Sequence, residues 1–248
     1  MKNVITKFKN GFTLAEVLIT LVVVGVVAAM TIPTVISKIE ERDTVAKVQK
    51  AYSTVAQAWE KFQVDNGCTG TFEGCFSGNQ TRKKMHENFL KYFNYVEWFP
   101  PGTLLNDVDW ISETAYHLNG TVNSQQWMGV HKGVASSVSS LFTLADGTVY
   151  HLEMPDGSYG KCGYIFVDTN GAKGPNRIGK DQFPIGIGAY ENPEYDGIVH
   201  PFYNEDNSPS YGLCNIRNNG QCSADTCTQS SCSPTAYVLK NKKLPPIT

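Results

Sequence analysis

The sequence predicts an α+β protein: a long N-terminal α-helix, membrane-spanning in its first half, packed on a mainly antiparallel β-sheet head. Three observations carry that prediction. Between Phe12 and Ile36 the only ionisable side chain is Glu16, at the mouth of a run dense in valine, leucine and isoleucine. Val45, Val48, Tyr52, Val55, Trp59 and Phe62 then recur at alternating intervals of three and four, the period of one helix face. Beyond Pro100-Pro101-Gly102 strand signals dominate, as short β-branched and aromatic runs bounded by turn residues.

The apolar run is long enough to span a membrane. A hydrocarbon core ~30 Å thick needs about 20 helical residues at ~1.5 Å each, which residues 13–36 supply. Lys2, Lys7 and Lys9 precede it with no acid among residues 1–11, so the basic end is expected in the cytoplasm and everything after Ile36 outside it. A cleaved secretory signal would carry only 7–15 apolar residues before a small-residue cut site. Here Ala28-Ala29-Met30 lies inside the run, which favours a retained helix. Within it, Pro33 lacks an N–H and clashes with the carbonyl four residues back, at ~3 kcal/mol in an ordinary helix. Membrane helices tolerate this when neighbours satisfy the freed groups. Gly25 to Pro33 is therefore the expected bend.

The amphipathic continuation to about residue 63 would be the spine on which residues 64–248 pack as a head. Asn66-Gly67 ends the helix with turn chemistry. A shorter helix is expected around Thr81–Trp98, with Met85, Phe89, Leu90 and Phe93 on one side, stopped by the two prolines. Residues 140–145 and 148–152, joined at Asp146-Gly147, read as a hairpin with a tight turn. Further strands are expected at 163–167, 183–185 and 198–200, whereas 204–235 reads as loop.

Seven cysteines in an exported head read first as disulfides. Cys68 and Cys75 form a local candidate pair; Cys214, Cys222, Cys227 and Cys232 would supply two more, leaving Cys162 over. Cys222, Cys227 and Cys232 offer zinc as an alternative but lack the usual CxxC pairs. In the stretch 168–181, Asp168, Asn170, Asn176 and Asp181 place hard oxygen donors on a glycine-rich loop, which suits calcium. The plain alternative is a long turn held by Asx hydrogen bonds and left-handed glycines. His86-Glu87 lacks the second histidine of a zinc protease motif, and no Gly-x-Ser-x-Gly or phosphate-cradling loop occurs, so no enzyme is expected. The net charge of −2 does not suggest a nucleic-acid binder.

Gly11-Phe12-Thr13-Leu14-Ala15-Glu16, after a short lysine-bearing leader, resembles the processing site of type IV prepilins and type II secretion pseudopilins. The resemblance is close through about residue 40, with Gly25 and Pro33 also in place, and looser beyond. It implies that a prepilin peptidase cuts after Gly11 and methylates Phe12, so that residues 1–11 are a leader. It implies that Glu16 pairs with the new amine of a neighbouring subunit and sets the register of helices in a filament. It further implies a pilin-like head, a bacterial inner-membrane single-pass location and no required cofactor. The expected partners are copies of the chain, related pilin-like subunits, an inner-membrane assembly platform and the lipid bilayer. Removing the leader leaves 18 cationic against 23 acidic side chains, a net of −5 that argues against capture of nucleic acid. Major type II pseudopilins carry a calcium-stabilised loop near the end of the head, though their motif does not align residue by residue with 168–181. The most favoured role is a type II secretion pseudopilin. A type IV pilus subunit for adhesion, motility or DNA uptake, a minor tip-located subunit, and a tethered module that never polymerises are the alternatives.

Overall fold

A computed structural model describes residues 11–68, 75, 82–103, 108, 111, 114–116, 120, 122–123, 130, 132, 139–154, 162–171, 173–188, 199–201 and 234–245. The chain divides into two compact units, Met1–Arg42 and Asp43–Thr248, and the division falls inside α1, a helix from Leu14 to Asn66. In the first unit the large apolar side chains from Phe12 to Ile39 are 41–88 % exposed. A helix that is apolar all round, rather than along one stripe, needs an apolar environment on every side. Among the described residues this is the one helix long and apolar enough to cross a membrane. The helix is unbroken through Gly25 and Pro33. Pro33 offers no N–H to the carbonyl of Ala29, and Thr31 Oγ donates to the carbonyl of Val27 at 2.9 Å in the same stretch.

In the second unit the remainder of α1 presents the stripe expected from the sequence. Val48, Val55, Trp59 and Phe62 are 0–2 % exposed, joined by Ala51 and Ala58, whose small side chains let the helix approach its neighbours. That face packs against α2 (Arg82–Leu90) and a six-stranded antiparallel sheet. The sheet runs in the order β1 (Tyr95–Phe99), β4 (Ser139–Leu144), β5 (Val149–Glu153), β6 (Cys162–Asp168), β7 (Gln182–Gly188), β8 (Val199–His200). Two short strands, β2 (Ala115–Tyr116) and β3 (Val122–Asn123), pair separately. Trp59, Phe62, Phe89 and Phe93 form a chain of ring contacts at 5.2–6.1 Å that reaches Phe142 and Tyr150 on the sheet. A C-terminal helix, α3 (Pro234–Asn241), closes a smaller cluster of Val45, Val48, Phe183 and Val238, and Thr235 Oγ donates to the carbonyl of Pro184 at 2.6 Å.

Local chemistry explains the element ends. Gly67, at φ 62°, donates to the carbonyl of Val64, and Cys68 N–H reaches back to Gln63. These are the paired bonds of a Schellman cap, in which a left-handed glycine satisfies the last helical carbonyls. The Cys68–Cys75 disulfide begins one residue later, as the local pairing anticipated. The β4–β5 connection differs slightly from the tight two-residue turn expected. Gly147 N–H donates to Leu144, Leu144 N–H donates to Thr148, and Gly147 stands at φ 79°, a three-residue loop with glycine in the left-handed position.

One expectation needs correction. The helix read over Thr81–Trp98 ends at Leu90, and Tyr95–Phe99 is a strand paired with β4. Tyr95, Val96, Trp98 and Phe99 are strand formers, and the unpaired edge of β4 decides their conformation against helical spacing. Cys214, Cys222, Cys227 and Cys232, with their disulfide and zinc readings, lie outside the described residues, as does most of 204–235.

Candidate functional site

The N-terminal segment begins as an exposed, non-helical piece: Gly11, Phe12 and Thr13 precede the first turn, and Phe12 is 88 % exposed. The bond expected to be cut, between Gly11 and Phe12, thus lies on an open strip of chain. Thr13 is the N-cap of α1. Its Oγ accepts the N–H of Glu16 at 3.2 Å, while Glu16 Oε2 accepts both the Thr13 N–H and the Thr13 Oγ–H at 2.8 Å. This is a capping box, two orphan donors satisfied reciprocally across Thr-x-x-Glu. The signature was legible as Thr13 followed three residues later by Glu16, and it supplies an intrachain partner that the register role alone does not.

The arrangement has a chemical consequence. Thr13 lies beyond the Gly11–Phe12 bond, so its amide persists whether or not that bond is cut. Both of its bonds end on Oε2. Oε1 has no hydrogen-bond partner among the described residues and keeps its lone pairs for a further donor. Gly25 and Pro33 contribute no contact of this kind; a Cβ built on Gly25 would meet nothing within 4 Å, so close packing inside this chain does not explain that glycine.

In the head, the four oxygen-bearing residues expected to act together do come together. Asp168 closes β6, Asp181 precedes β7, and both are buried, at 1 % and 2 % exposure. Asp168 Oδ1 accepts the N–H groups of Asn170 and Gly171 at 3.0 and 2.8 Å. Its Oδ2 accepts Gln182 Nε2–H at 2.9 Å. Asp181 accepts the N–H groups of Asn176 and Arg177. Burial, with the Asp181 charge nearby, pushes the Asp168 carboxyl up to about 7 against the pull of those donors. Asp181 is likewise raised by burial. Gln182 was not anticipated as part of this cluster. Its amide also pairs with the backbone of Val130, Nε2–H to the carbonyl at 2.9 Å and Oε1 from the N–H at 3.1 Å. Among the described residues no three His, Cys, Asp or Glu side chains stand together as a metal site.

Neither of two other places has the geometry of a catalytic centre. His86 Nδ1 and Ser140 Oγ are 2.7 Å apart, but both residues are sealed from solvent and the contact ties α2 to β4. A cleft of about 330 Å³ is lined by Lys50, Thr54, Lys61, Tyr92, Asn94 and Asp146, and its acid is engaged by Lys50 at 2.6 Å.

A scan against family models matches residues 6–32 to the prokaryotic N-terminal methylation motif. No curated protein and no solved structure matches the chain. The match brackets the Gly11–Phe12 bond, the capping box and most of the apolar run, and the fold behind it is a long helix packed on an open antiparallel sheet. The motif implies processing by a prepilin peptidase and assembly into filaments, and with the apolar helix it fits an anchor in the inner membrane. Over residues 6–32, then, this chain carries the N-terminal methylation motif of the type IV pilin-like and pseudopilin family of structural subunits.

Proposed function

We propose that the chain is a subunit of a pilus-like filament, and within that family a type II secretion pseudopilin assembled from the inner membrane to support protein secretion. One observation carries the reading: a helix segment exposed on every side, interrupted only by the carboxylate of Glu16 four residues after Phe12. Burying one Val, Leu or Ile contributes about 1.5–3 kcal/mol, so such a surface favours lipid first and packed copies of the same helix afterwards. An acid costs ~2.5–3.5 kcal/mol or more at the centre of a bilayer, and a cationic partner offsets that cost. In this reading the leader, residues 1–11, is removed and Phe12 becomes the methylated terminus. The Phe12 amine of one copy then meets Glu16 of the next, using the carboxylate oxygen that the capping box leaves over. The apolar half of the helix, about residues 12–36, packs in the core of the filament, Gly25 to Pro33 give it a place to bend, and the helix continues to residue 63 as the spine of an exported head formed by residues 64–248. The N-terminus stays in the cytoplasm, and the work is mechanical rather than enzymatic.

Glu16→Ala tests this. The variant should insert and be processed normally but be missing from filaments. Incorporation at the wild-type level would refute the register role of Glu16, whereas a wild-type chain that is itself missing from filaments would support a tethered head that never polymerises.

A further inference from the structure

A glycine-rich loop with two aspartates and two asparagines has the make-up of a site for a hard divalent cation, and the family resemblance points the same way. The folded loop answers differently. All four carboxylate oxygens already accept hydrogen bonds from the chain: Asp168 from Asn170, Gly171 and Gln182, and Asp181 from Asn176 and Arg177. The acceptors of these four side chains with no hydrogen bond at all among the described residues are the buried Oδ1 atoms of Asn170 and Asn176. Calcium takes about six to eight oxygens; two amide oxygens fall well short, and because N–H donors already occupy most lone-pair sites of both carboxylates, the carboxylates could make up the number only by turning away from those donors. Turning them would strand buried N–H groups, each a cost comparable to a lost hydrogen bond.

We propose that the β6–β7 loop is closed by amide donors in place of a cation, with Gln182 as the residue that makes this possible. Gln182 is wholly buried. Its Nε2 group donates to both Asp168 Oδ2 and the Val130 carbonyl, while its Oε1 accepts the Val130 N–H. One neutral side chain thus fastens the carboxylate to the strand that follows the loop and fastens the Val130 segment to both. A metal ion in that place would hold oxygens alone; the amide holds a carboxylate, a carbonyl and an N–H at once. This inference concerns the head and is independent of filament assembly.

The test is thermal unfolding of the full chain in detergent micelles, followed by circular dichroism, in calcium chloride and in EGTA. A calcium site filled at about a hundred times its dissociation constant would raise the midpoint by roughly 5–10 °C. The expected difference for the wild type is below about 1 °C. Gln182→Leu should lower the midpoint by several degrees in both buffers alike. A wild-type midpoint that climbs with calcium would overturn the proposal, as would a Gln182→Leu protein that melts like wild type or is restored by calcium. Should that variant fail to fold, the two wild-type melts still decide.

Discussion

Trp59→Ala probes the joint on which the head is built. Trp59 is 1 % exposed, stacks on Phe62 at 5.6 Å and meets Phe89 edge-on at 6.1 Å, so it links α1 to α2 above the sheet. Truncating a buried Trp costs about 3–5 kcal/mol through lost transfer energy and the cavity left behind. Each aromatic pair is worth about 0.5–1.5 kcal/mol beyond area, which places this site toward the upper end of that range. A change of 1 kcal/mol moves the midpoint of a 150–250-residue domain by roughly 2–4 °C, so the variant should melt about 6–20 °C below wild type. Val64→Ala is the internal control: it lies on the same helix, is 70 % exposed, and should shift stability by no more than about 0.5 kcal/mol. Thermal unfolding by circular dichroism reads both variants. Equal melting of the two would show that the stripe at 45–62 is not the packing face.

Two other perturbations have definite signs. Because burial holds Asp168 up to about 7 in the fold, the folded state keeps a proton that the unfolded chain releases near the ordinary carboxylate value. Stability is then fullest below about pH 4 and falls as pH rises toward about 7, by up to about 1.4 kcal/mol per pH unit; the raised Asp181 acts with the same sign. Asp168→Asn should flatten that contribution in unfolding measurements across pH 5 to 7.5; the His200 imidazole, lowered by burial, acts with the opposite sign in both proteins, so an identical pH dependence of variant and wild type would refute the assignment. Gly67→Ala places a side chain at φ 62° with nothing within 4 Å to clash. It should cost about 1–2 kcal/mol from backbone strain alone, whereas Gly25→Ala, in open helix, should leave the stability of the head unchanged.

How much of this was legible depended on whether the signal was local. The apolar run and the stripe from Val45 to Phe62 are periodic over many residues, and periodicity is what a sequence displays most clearly. Asn66-Gly67 and Asp146-Gly147 announced turns because glycine at positive φ is a local requirement. Residues 95–99 were misread because Tyr95, Val96 and Trp98 suit either element, and only pairing with β4, more than forty residues on, selects the strand. Gln182 was illegible for the same reason. A polar residue at the start of a strand looks like one facing solvent, and nothing near it in sequence reveals Val130, 52 residues away, as its partner. Glu16 is the intermediate case. Its position marked it as functional, while its bond to Thr13 followed from a four-residue pattern in plain sight.

The most direct measurement is mass spectrometry of the amino terminus of the protein purified from membranes. A chain that starts at a methylated Phe12 is the predicted result, since only trimming at Gly11 creates the amine that Glu16 of an adjacent copy would meet. An intact Met1, or a terminus near Met30, would contradict the account.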